Sequence, residues 1–171
     1  MNDLTNHKVK VGGVFGIEIL DKDGNVKYPY EEFENIVVNE GLDHILNTVL
    51  HNGTQVSTWY VGLFKGNYTP LATDTAANIT SNATEATEYD ETTRVEYNEA
   101  ASSSQSVTNS ANKATFTMNS SITVYGAFLV STSTKSGTTG TLLAASRFTS
   151  ARSVVATDQI LLTYTFSAAD A

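Results

Sequence analysis

Apolar residues recur at every second position over much of this chain, and at one place the period changes. From Phe15 the alternation is strict, with Phe15, Ile17 and Ile19 on one face and Gly16, Glu18 and Leu20 on the other. This predicts a strand within Val9–Leu20, interrupted by Gly12-Gly13. Asp21-Lys22-Asp23-Gly24-Asn25 reads as a turn and Val26-Lys27-Tyr28 as the returning strand, so residues 9–32 form an N-terminal hairpin or extension. Pro29 breaks that strand, since it has no N–H to give to a ladder. Phe33–Val38 starts another.

The change of period follows. Leu42, Ile45, Leu46, Val49 and Leu50 fall at i, i+3, i+4, i+7 and i+8, the single apolar stripe of a short amphipathic helix near residues 40–51. Asn39 suits its N-cap. Glu40 and Asp43 suit the positive end of its dipole, and Gly53 the left-handed residue after its end. The stripe is expected to plug one open end or face of the fold as a core helix, so that Leu46→Asp prevents folding.

Alternation then resumes. Trp59–Phe64 is strongly apolar around Gly62, which lets a ring or backbone lie close. Arg94–Tyr97, Ala114–Met118, Ile122–Val130 with its central Gly126, Thr141–Phe148 and Ile160–Phe166 also read as strands. Residues 71–84, 100–112 and 131–140 are polar and read as loops. About eight strands with one short helix and no β–α alternation predict an all-β protein, an antiparallel β-sandwich. Its long connections make a jelly roll the simplest form, ahead of an immunoglobulin-like sandwich. Residues 1–8 read as a polar N-terminal arm and 9–171 as a single sandwich domain.

Composition adds exclusions. Eighteen acids against ten bases give a net charge of −8, which argues against nucleic acid as a partner. Only 16% of residues are charged, and Ser, Thr, Asn and Gly are abundant, so solubility rests on hydroxyls and amides. Such composition leans toward a β-rich assembly protein over an enzyme. There is no Cys, hence no disulfide framework, thiolate nucleophile or Cys-based zinc site. No apolar run approaches the ~20 residues of a membrane helix. Met1–Lys8 lacks the apolar core of a signal peptide, so no membrane association or signal-dependent export is expected.

Candidate chemistry is sparse. Asp21–Asn25 resembles the start of a calcium loop, but strands flank it and Asp-Gly is ordinary hairpin chemistry. His44 and His51 lack a third ligand. The acids Glu85, Glu88, Asp90, Glu91, Glu96 and Glu99 could supply the paired carboxylates of a glycoside hydrolase, though a solvated strand face explains them more simply. No nucleophile elbow, zincin helix or phosphate-binding glycine loop is present. No catalytic residue, metal or cofactor is therefore expected.

Several segments, taken in order, resemble small proteins of tailed bacteriophages. They are Asn35-Ile-Val-Val-Asn-Glu-Gly-Leu42, Trp59-Tyr-Val-Gly-Leu-Phe64, Asp74-Thr75, Glu88-Tyr89 to Arg94, Ala114-Thr-Phe116, Val124-Tyr-Gly-Ala-Phe-Leu129, Gly140-Thr-Leu142 with Phe148, and Asp158-Gln-Ile-Leu-Leu-Thr-Tyr164. The similarity is to capsid decoration, or cement, proteins with a jelly-roll fold. It implies a virion protein, assembled in the host cytoplasm, that sits on the outer capsid surface as a homotrimer. There it would bind the major capsid protein and bridge coat subunits. Where that family's last strand commonly begins Gly-Asp, this chain has Thr157-Asp158. Loops and the N-terminal part are the expected contacts, with Val9, Val11, Tyr28, Tyr30, Tyr68 and Tyr89 as candidate partner-contact residues. The same tyrosines, set among carboxylates, motivate the alternative of a tail or fibre module that binds host-surface glycans.

Overall fold

The computed structural model describes residues 8–170; residues 1–7 of the expected polar arm lie outside them. In chain order the elements are β1 (Val9–Leu20), β2 (Val26–Glu34), β3 (Ile36–Val37), α1 (Asn39–Leu50), β4 (Tyr60–Phe64), α2 (Ile79–Asn82), β5 (Glu85–Ala86), β6 (Val95–Glu96), β7 (Ser106–Thr108), β8 (Ala114–Thr117), β9 (Ile122–Val130), β10 (Leu142–Val154) and β11 (Gln159–Asp170). They form two antiparallel sheets packed as a sandwich, the architecture that the alternation predicts. The first sheet runs β2-β1-β11-β7, with β8 also paired to β11. The second runs β3-β10-β9-β4-β5, with β6 also on β4.

Register explains the core. Phe15 faces Tyr164, Ile17 faces Leu162 and Ile19 faces Ile160 across β1 and β11. Residues opposed in a ladder point to the same side, so all six side chains enter the space between the sheets, where they are fully buried. Phe33, Phe116, Leu129 and Phe148 meet them there. Gly62 and Phe128 are opposed, as are Phe64 and Gly126. Each phenyl ring lies over the glycine opposite, where a Cβ would stand 2.2 Å and 2.1 Å from a ring atom. The close approach expected at Gly62 is thus reciprocal.

One strand and one loop depart from the sequence reading. β2 continues through Pro29 instead of ending there. Its pairing with β1 slips between Ile17 and Ile19, and β2 is an edge strand, so the proline occupies a bulge where no ladder donor is required. Residues 71–84, read as an aperiodic loop, contain α2 and close a second, smaller core. Ala76, Ile79 and Ala83 pack there against Phe64, Phe128 and Val130 on the outer face of the second sheet.

The turn at residues 21–25 is a hairpin turn. Asp21 Oδ1 accepts from the backbone N–H groups of Asn25 and Asp23 at 2.9 Å each, and Gly24 takes φ 81°. Hydrogen bonds from Asn25 and then Asp23 hold the Asp21 carboxyl below its usual range. At the start of β11, Thr157 adopts φ 75°, the left-handed conformation that glycine would take there without strain. The tight turn is therefore kept despite the Gly→Thr departure.

Candidate assembly interface

The helix marks the main departure from the sequence. Its first turn is clamped. Val38 and Gly41 are buried, and a Cβ on Gly41 would stand 2.4 Å from the Leu143 carbonyl oxygen. Val38, not Asn39, occupies the cap position, and no side chain caps the helix. The Asn39 N–H donates to the Ala72 carbonyl at 2.8 Å instead. Glu40 Oε2 accepts from the Ala76 N–H at 2.8 Å and the Leu142 N–H at 2.6 Å, tying the helix start to the 72–76 loop and to β10. At the other end Asn52, with φ 58°, takes the left-handed position expected of Gly53, and the Gly53 N–H donates back to the Asn47 carbonyl at 2.8 Å.

Held this way, α1 does not bury its stripe. Ile45 packs partly on the core, and Leu42 is half-buried. Leu46, Val49 and Leu50 are 55%, 73% and 77% exposed. The core-helix reading is corrected for these three, because clamping at Gly41 and Val38 lets the distal turns stand away from the sheets. Spacing identifies an apolar face but does not say what covers it.

Beside α1, the end of the sandwich opens into a groove of about 400 Å³. Leu129, Leu143 and Tyr164 form its floor, while Trp59, Phe166 and the α1 residues Ile45 and Val49 rise along its sides. His44 stands edge-on to Trp59, with ring centroids 5.6 Å apart. The polar atoms of the lining tyrosines are already engaged. Tyr97 Oη donates to the Tyr164 carbonyl at 3.0 Å, and Tyr164 Oη accepts from Asn35 Nδ2 at 3.1 Å. Burial raises the pKa of both phenols above the ordinary tyrosine value. The groove is therefore mainly apolar, with His44, Thr48, Gln55, Glu99 and Ser102 as further polar residues in its lining.

The six candidate contact residues are dispersed. Val9 is 77% exposed at the start of β1, and Val11 is half-buried on the same face of the strand. Tyr28 is half-buried beneath the Arg152 guanidinium. Tyr68 is half-buried and donates to Asp74 at 2.9 Å. Tyr30 is exposed on the outer face of the first sheet. Tyr89 is 1% exposed, packed edge-on to Phe116 and covered by the Lys135 ammonium 3.7 Å from its ring centre, which removes it as a surface contact. The α1 row and Trp59 form the apolar surface that the tyrosine candidates did not indicate.

Three of the six acids hold structure, Glu85, Glu88 and Glu91, while Asp90, Glu96 and Glu99 are exposed. Arg94 is fully buried and pairs with Glu85 through two hydrogen bonds of 2.8 Å. Its remaining donors reach the carbonyls of Thr132 and Gly137 at 3.1 Å, while Glu85 also accepts from the Ser136 N–H at 2.8 Å. This network pins the 131–140 loop. Glu88 pairs with Lys65. Its burial works against ionisation, but hydrogen bonds from Lys65 and the Thr87 N–H prevail and lower its pKa. Glu91 accepts from the Thr117 N–H at 3.1 Å. His51 is exposed at the end of α1. Among the described residues no group of three or more His, Cys, Asp or Glu side chains is placed to hold a metal ion, and no helix is long and apolar enough to cross a membrane.

The fold is a two-sheet antiparallel β-sandwich that leaves an apolar helix face exposed beside a groove. The chain belongs to the family described as Podophage GP4 fiber I protein gp80, whose model matches residues 32–167. It is accordingly a structural protein of a bacteriophage virion. No curated protein matches it.

Proposed function

We propose that this chain is a subunit of a virion fibre and that it joins a neighbouring virion protein through the α1 end of the sandwich. The observation that carries this reading is the exposed row Leu46, Val49 and Leu50, of which Val49 lines the groove together with Trp59. Three large aliphatic side chains held out on one rigid helix mark a contact surface. The groove is lined mainly by apolar and aromatic side chains, so the fitting occupant is an apolar side chain from a segment of the neighbouring protein. The family description supports the fibre over the capsid surface. The same apolar end would also serve a trimeric decoration protein seated on the major capsid protein, which makes location the deciding measurement. Electron microscopy of purified particles labelled with gold-conjugated antibody against this chain should show label on fibres. Label confined to the head surface would overturn the fibre reading in favour of decoration.

A further inference from the structure

On the opposite side of the first sheet from the groove, the outer face carries an aromatic platform that the assembly reading does not use. Tyr30 lies flat across β1 at Gly16, where a Cβ would stand 2.2 Å from the phenol oxygen and 2.5 Å from the ring. The ring is fixed at its tip, with Oη donating to Glu32 Oε1 at 2.8 Å and 3.2 Å from Thr163 Oγ1. One face of the ring seals the sheet and buries Thr163, while the side chain remains 47% exposed. Gly16 and Val14 are opposed to Glu32 and Glu34, so both carboxylates flank the platform on the same side of the sheet. Glu18, on the same face, is neutralised by Lys113 at 3.2 Å, and that ammonium stands 5.8 Å from the Tyr30 ring centre, at the edge of the platform.

Hydroxyls continue along β11. Thr165 bonds Thr108 at 2.9 Å and Ser167 bonds Ser106 at 3.3 Å, both on this face. Opposite Ser167, Gly12 has no side chain, and a trough of about 240 Å³ runs from Lys10 to Val14. From Thr163 to Ala169 the strip spans roughly 20 Å at ordinary strand rise, the length of a short oligosaccharide.

We infer that this strip is a binding site for a neutral linear glycan, stacked on Tyr30 and hydrogen-bonded by Glu32, Glu34 and the β11 hydroxyls. A pre-fixed ring offers a flat apolar face to the C–H side of a sugar at little entropic cost. Carboxylates and hydroxyls accept from the sugar's edge. Glu32 and Glu34 place negative charge beside the ring, which disfavours uronic-acid polymers by like-charge repulsion and favours neutral sugars. The inference deepens the fibre reading by giving the fibre something on a cell surface to hold.

The test is a microbial glycan array probed with the full chain. It is followed by calorimetric titration with the neutral oligosaccharides that score and with an alginate oligosaccharide as the acidic control. Binding of neutral linear glycans, weakened about tenfold or more by Tyr30→Ala and preserved by Tyr30→Phe, is the expected result. Tyr30→Leu keeps an apolar cover on Gly16 without an aromatic face, so it separates stacking from sheet integrity and should lose binding while remaining folded. No neutral glycan bound, a preference for alginate, or binding indifferent to Tyr30→Leu would each overturn the inference. Fibre labelling without glycan binding refutes the glycan site alone. Head labelling with glycan binding refutes the fibre alone.

Discussion

Replacing Leu46, Val49 and Leu50 together by glutamine separates folding from assembly. Full burial of a leucine or valine side chain is worth ~1.5–3 kcal/mol. With Leu46 at 55% exposure, less than half of that remains to be lost, and at 73% and 77% Val49 and Leu50 retain about a quarter each. The triple change should cost about 2 kcal/mol. Glutamine is nearly as good a helix former as leucine, so propensity adds little. A domain with 5–15 kcal/mol of stability stays folded after such a loss. Urea unfolding followed by the fluorescence of Trp59, the only tryptophan in the chain, measures this directly. Incorporation is scored by whether the variant co-purifies with particles when it replaces the normal protein during infection. The expected outcome is a folded chain that is missing from particles. A loss above about 4 kcal/mol would mean that the row is packed in the isolated chain. Normal incorporation of a folded variant would remove α1 from the interface.

Three further outcomes follow from the geometry. Arg94→Ala strands the Glu85 carboxylate in the interior and should cost about 3–5 kcal/mol, seen as a fall in Tm on the order of 10 °C; a fall of only a degree or two would show the pair to be hydrated. Thr157→Gly relieves a β-branched residue at φ 75° and should raise stability by about 1 kcal/mol in the same urea titration, whereas a decrease would mean that the threonine side chain is held by contacts that outweigh its strain. Burial raises the pKa of Tyr89, Tyr97 and Tyr164 above the ordinary tyrosine value of about 10; their contribution is complete below the unfolded value and is lost as pH rises toward the folded one. Alkaline titration should therefore show tyrosinate absorbance from these residues appearing together with loss of near-ultraviolet circular dichroism, and ionisation with the fold intact would contradict their burial.

The sandwich was legible because alternation with buried β-branched and aromatic residues is a local signal. β1, β9 and β11 could be placed from Phe15-Ile17-Ile19, the Gly126 strand and Ile160–Phe166 alone. The short strands β5 and β7 carry no period long enough to read, whereas β3 and β6 fall within the longer runs Phe33–Val38 and Arg94–Tyr97. Helix α2 rests on Ala76, Ile79 and Ala83 within a run of Thr, Asn and Ala whose apolar contacts are tertiary. The destination of the α1 stripe was illegible for a different reason. Its i, i+3, i+4 spacing is the same whether the partner is the chain's own core or another molecule, and the deciding contact, Gly41 on the Leu143 carbonyl, lies about a hundred residues away in sequence. Tyr89 sat among acids like a surface residue, yet a bridge to Met118 carries it into the core. Tyr30 was visible as a tyrosine among carboxylates, but the glycine beneath its ring becomes evident only when β1 and β2 are in register.

The Arg94 network has a consequence for engineering. Residues 131–140 are fastened from below, by one guanidinium on two of their carbonyls, by the Ser136 N–H on Glu85, and by Lys135 reaching the carbonyls of Thr87 and Tyr89. At the crown Thr134 closes a turn by accepting from the Gly137 N–H at 3.0 Å, and Thr138 and Thr139 are exposed. A foreign peptide spliced between Thr138 and Thr139 would leave every fastener in place, making this loop a natural port for displaying cargo on a particle.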